Sequence, residues 1–97
     1  MKWEIIKAWG DKQTQKLNRV DVRVHASEQE FTASEDRTIF MPEEGPEWEG
    51  LTEEVALAAA KEALGEFELD MLEYNLDTRI NEQKNPIYIV GLPWTQS

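Results

Sequence analysis

Cysteine is absent from these 97 residues, histidine occurs once, and no apolar run approaches the roughly 18 residues that a membrane span needs. Without cysteine there is no disulfide framework, thiolate nucleophile or cysteine-type zinc site, and a cytoplasmic protein is the simplest expectation. No apolar stretch follows a basic start at the N-terminus, so no targeting segment is expected either. A P-loop, a nucleophile elbow and a glycine-rich dinucleotide motif are likewise missing. The scarcest feature of all is positive charge in the second part of the chain: residues 38–97 hold only Lys61, Arg79 and Lys84 against thirteen acidic side chains, whereas residues 1–37 balance seven against seven. The full net charge of −10 therefore belongs to the second part. Charge of one sign gathered on part of a small domain opposes compaction by self-repulsion and steers oppositely charged partners toward it.

With 40% apolar residues, the length suits one domain over residues 1–97 with one core. Residues 2–9 are rich in aromatic and β-branched types and stop at Gly10 and Asp11, which reads as a strand ending in a turn. From Leu17 to Ala26 the alternation is regular, with Val20, Val22, Val24 and Ala26 on one side and Arg19, Asp21, Arg23 and His25 on the other. Glu30–Ala33 and Arg37–Met41 are shorter strand candidates around a polar bend at Ser34, Glu35 and Asp36. Residues 42–50 hold two prolines and two glycines and must form a loop, an acidic one with Glu43, Glu44, Glu47 and Glu49.

Thr52 stands where a helix N-cap is wanted, followed by Glu53 and Glu54 in the first turn and a strongly helical alanine-rich stretch. Leu57, Leu64 and Met71 recur every seven residues with Ala60, Phe67 and Tyr74 between them, and Leu72, Leu76 and Ile80 extend an apolar face, so helix is expected to about Ile80. Gly65 leaves open whether this is one helix or two. Ile87–Val90, after a break at Pro86, reads as a buried strand. The expected class is α+β: an antiparallel sheet of three to five strands packed against one long or two consecutive helices.

Glu62, Glu66, Asp70, Glu73 and Asp77 are spaced four, four, three and four apart, which aligns five carboxylates on one face if the helix continues through Gly65. At about 1.5 Å rise per residue they stand about 5–6 Å apart along the axis, a spacing of the kind that charges take along a nucleic-acid backbone. Such like-charge neighbours weaken an isolated helix by roughly 0.2–0.5 kcal/mol per pair, so something other than helix stability can be maintaining them. The competing reading is a solvated face, the ordinary fate of the polar side of an amphipathic helix in an acidic protein. With Glu54 and the four acidic loop residues, the row makes up the candidate partner-binding set.

Catalysis, metal and cofactor are not expected. His25 sits on the polar face of a strand, the carboxylates are expected to be too exposed for large pKa shifts, and residues 70–81 lack the central glycine of a calcium loop. Of the four tryptophans, Trp3 and Trp9 belong with the core or its edge, Trp48 either pins the acidic loop to the body or anchors an interface from it, and Trp94 ties down the C-terminal tail. In size and charge over the whole chain, this acidic, cysteine-free domain resembles phage-encoded inhibitors that imitate DNA. Among these it resembles the small anti-CRISPR proteins directed at type I-F surveillance complexes. That resemblance implies binding to a basic DNA-recognition surface on Cas proteins in competition with target duplex, without catalysis and without the chain itself binding nucleic acid or membrane. The alternative is a structural or adaptor module that uses an apolar or edge-strand surface, its acidic face serving only solubility.

Overall fold

The computed structural model describes residues 1–86 and 91–95. β1 (Lys2–Gly10), β2 (Leu17–Glu28) and β3 (Phe31–Phe40) form an antiparallel meander with β2 in the centre, followed by α1 (Glu53–Leu64), α2 (Glu66–Lys84) and a single 3₁₀ turn at Pro93–Thr95. Among the described residues this is a two-layer α+β arrangement. The expected strand Ile87–Val90 lies outside the described residues.

Alternation in β2 sets the layering. Val20, Val22 and Val24 are fully buried under the helices, and Leu17 and Ile39 join them. Their neighbours in register, Trp3 and Ile5 on β1 and Glu35 and Arg37 on β3, share that face. A bulge between Ile5 and Lys7 inserts Ile6 and returns Ala8 to the core side opposite Val20. The other sheet face carries Glu4, Lys7 and Trp9 beside Arg23, Asp21 and Arg19, and no described element covers it. There Arg19 lies 4.0 Å from the Trp9 ring centre and 5.8 Å from that of Phe40.

β3 is continuous, in contrast to the two short strands and polar bend expected around Ser34–Asp36. Each polar residue of that bend has a partner across the fold. Asp36 takes two hydrogen bonds from Arg23 on β2, at 2.8 and 3.1 Å. Glu35, nearly buried, is held from α2 by Arg79 (3.0 Å) and from its own strand by Arg37 (2.8 Å). Arg79 also donates to the Ser34 carbonyl at 2.8 Å, and Gln83 to that of Thr32 at 2.7 Å. These contacts dock the C-terminal half of α2 on β3.

The loop at 41–51 closes the opposite end. Leu17 N donates to the Pro46 carbonyl (2.8 Å) and Trp48 N to that of Gln15 (2.9 Å), so the loop is sewn to the β1–β2 turn. The Trp48 ring covers Gly10 so closely that a Cβ there would lie 2.7 Å from it. Trp48 therefore pins the loop, as expected. Trp94 does not pack on the described body: it is 78% exposed.

The helix breaks at Gly65, whose φ of 91° and ψ of 158° fall in a region open almost only to glycine. Its N–H closes α1 on Lys61 and its carbonyl accepts the first bond of α2 from Leu69, so one residue satisfies both ends. Thr52 caps α1 by accepting from Val55 N at 3.2 Å. The break changes the face that α2 presents. Leu72, Leu76 and Ile80 are buried, while Phe67, Met71 and Tyr74, expected on the core side, are exposed by 73, 39 and 65%.

Leu76→Ala is expected to lower the unfolding free energy by about 2–5 kcal/mol. Gly65→Ala should cost about 1–3 kcal/mol through its positive φ, whereas Phe67→Ser should change stability by no more than about 0.5 kcal/mol. Urea titration monitored by circular dichroism checks all three; a large loss at Phe67 would mean that its ring is packed.

Candidate functional site

Alternating polarity in the strands and alanine-rich helicity in the second part of the chain segregate charge by layer. The sheet layer holds the balanced set, and most of its carboxylates have side-chain partners: Asp21 takes bonds from Arg19 (3.2 Å) and Thr38 (2.9 Å), Asp36 from Arg23, and Glu4 lies 3.6 Å from His25. The Arg19 hydrogen bond holds the Asp21 carboxyl below its ordinary pKa, and the Arg23 hydrogen bond does the same for Asp36.

The helix layer is different. All three of its cations face the sheet: Lys61 stands 5.0 Å from the Trp3 ring, Arg79 engages Glu35, and Lys84 pairs with Glu28. None of the ion pairs among the described residues includes Glu62, Glu66, Asp70, Glu73 or Asp77, and all five are exposed. An acidic surface without internal counter-charge is what remains.

The ten expected site residues fall on three elements. Glu66, Asp70, Glu73 and Asp77 form a row on one flank of α2. Glu62 does not continue it, because the break at Gly65 puts it on α1, where it lines a cleft with Glu44, Pro42, Gly45 and Pro46. Glu43 lines a second cleft with Asp11, Lys16 and Asn18. Glu47 bridges to Lys16 through the backbone, Glu49 lies exposed beside Trp48, and Glu54 sits in the first turn of α1 near the helix dipole's positive end. The loop acids thus belong to the β1–β2 turn end, while α2 runs to Lys84, which is tied to the β2–β3 hairpin at Glu28.

The seven-residue recurrence predicts Phe67, Met71 and Tyr74 on the core side, whereas the fold leaves them as an exposed stripe. A signal was present. Phe67 and Leu76 are nine residues apart, about half a revolution at about 3.6 residues per turn, so α2 carries two opposed apolar stripes and can bury only one on a single sheet. Glu68 and Glu82, outside the expected set, flank the stripe on the side away from Asp70.

Among the described residues no group of three or more acidic or histidine side chains is arranged to hold a metal ion, and no helix is long and apolar enough to cross a membrane. The family model described as "Domain of unknown function (DUF7936)" matches residues 1–94. The chain belongs to the DUF7936 family. No curated protein and no solved structure matches it. The DUF7936 match spans β1 through α2 and ends within the 3₁₀ turn, so it takes in both the balanced sheet and the acidic helices.

The lowered pKa of Asp21 and Asp36 fixes a sign. A carboxyl that titrates below its ordinary 3.8 when folded adds stability above that pH and loses it as pH falls through the folded value. The margin of the wild type over Asp36→Asn in thermal melts should therefore be constant near neutrality, begin to shrink as pH approaches about 4, and disappear only below the folded pKa. A margin that grew on acidification would contradict the Arg23–Asp36 assignment.

Proposed function

We propose that this DUF7936 protein is a non-catalytic inhibitor that acts in the cytoplasm, where its acidic helix layer occupies a basic DNA-recognition surface of a partner protein as a DNA mimic. One observation carries the reading: the three cations of the helix layer face the sheet, so the row Glu66, Asp70, Glu73 and Asp77 meets solvent with no ion-pair partner among the described residues. At about 1.5 Å rise per residue these carboxylates repeat every 4.5–6 Å, and each can receive a lysine or arginine that would otherwise hold a phosphate.

The partner class follows from the resemblance to the anti-CRISPR proteins: a type I-F Cas surveillance complex in a phage-infected host. Binding should fall steeply with salt, because the row's attraction is screened beyond a Debye length of about 8 Å at physiological ionic strength.

The test is competition, by fluorescence anisotropy, between the chain and labelled target duplex for that complex. Wild type should displace duplex. Glu66→Lys with Asp70→Lys should abolish displacement while leaving the melt unchanged, since exposed helix positions accept lysine and repulsion along the row is relieved. Glu4→Lys with Glu30→Lys, the same charge change on the sheet layer, should change it far less. A ternary complex with duplex fully bound would sink mimicry, and equal loss in both double variants would reduce the effect to net charge.

A further inference from the structure

The exposed stripe on α2 differs from scattered surface hydrophobics. Phe67, Met71 and Tyr74 follow the i, i+4, i+7 spacing of one helical line, opposite the buried Leu72, Leu76 and Ile80. A surface helix ordinarily has one apolar face, and this one has two. Two aromatic rings and a methionine in a line, each ring able to bury about 150–250 Å2, are the side chains most enriched at the centres of protein interfaces. Acidic residues border the line on both sides, with Asp70 and Asp77 on one flank and Glu68 and Glu82 on the other.

We propose that the Phe67–Met71–Tyr74 line is a docking seam for an amphipathic helical segment of a partner protein whose apolar stripe is rimmed by lysine and arginine. Charge selects this occupant. A second copy of the chain would set two acidic rims against each other in a protein that already carries −10, an arrangement destabilised by like-charge repulsion. An acidic rim is equally unsuited to an anionic lipid surface. A basic rim converts the same flanks into interhelical ion pairs of the kind that set partner choice in coiled coils, with the aromatic line as the seam. This rests on the acidic-face reading only for the sign of the partner's charge, and adds that apolar contact, which DNA mimicry does not need, supplies much of the affinity and discriminates a protein groove from bare positive charge.

The experiment uses the full chain and two designed helical peptides of 18 residues and equal charge, one with a leucine stripe flanked by lysine and one with alanine in place of each leucine. Wild type should bind the leucine peptide about tenfold or more tightly than the alanine peptide. Phe67→Ser with Tyr74→Ser should bind both alike, and Tyr74→Ser alone should narrow the gap, which keeps the test open if the double variant fails to fold. Neutralising the row with Glu66→Gln, Asp70→Gln, Glu73→Gln and Asp77→Gln should weaken both peptides and flatten their salt dependence. Equal affinity of wild type for the two peptides, or a gap that survives Phe67→Ser with Tyr74→Ser, would overturn the proposal. So would a wild-type dimer in sedimentation that this double variant splits, because a second copy would then occupy the seam. Failure to displace duplex DNA from a Cas complex would leave these outcomes intact, so the two ideas fall separately.

Discussion

The turn at Gly65 is the constraint on which the rest of this molecule depends. Two helices of 12 and 19 residues must lie on the one sheet face that presents Val20, Val22 and Val24, and an unbroken helix of that length would run off the sheet. A backbone at φ 91° redirects the chain within one residue while its own N–H and carbonyl complete the hydrogen bonding of both helices. The same turn sets the rotation of α2 about its axis. Once Leu72, Leu76 and Ile80 enter the core, Phe67, Met71 and Tyr74 must face out, with the acidic row beside them.

Packing and electrostatics then act in the same direction. Arg79 and Lys84 point from α2 to β3 and to the β2–β3 hairpin, because Glu35, the Ser34 carbonyl and Glu28 are there to receive them, and Lys61 covers Trp3. Each contact fastens the helix layer to the sheet and at the same time removes a neutralising cation from the outer surface. The result is a polarised molecule, with a balanced, cross-paired sheet on one side and an acidic helical surface on the other. In the free protein that surface is tolerated because it is fully hydrated, where like-charge repulsion is weak.

The molecule is elongated. It measures 60 × 27 × 22 Å, with a radius of gyration of 17.7 Å against about 12.5 Å for a compact chain of this length. An elongated body exposes proportionately more apolar surface, and the placement of that surface matters more than its amount. The Trp9–Arg19–Phe40 stack is held together by its own cation, whereas the α2 line has Asp70 and Asp77 on one flank and Glu68 and Glu82 on the other. A rim of charge around an apolar centre is the layout of a recognition surface, in which the charge guides encounter and the centre holds the complex.

The sequence by itself determined the α+β class, the antiparallel sheet, the inward side of β2, the acidic loop, the Thr52 cap and the helical second part, because each follows from local rules: a period of two, a period near 3.6, a capping hydroxyl, prolines that cannot donate. It also located the net charge. Tertiary structure alone decided the unity of β3, since Asp36 and Glu35 look like turn formers until Arg23 and Arg79 arrive from elsewhere in the chain. It decided, too, that Glu62 leaves the row, that the three cations turn inward, and which of the two apolar stripes on α2 is core. Periodicity identifies faces but not the direction each faces, and the turn at Gly65 and the sheet that α2 must cover together set the helical phase. The carboxylates of the candidate site were therefore legible as residues, while their segregation from every counter-charge was a consequence of packing.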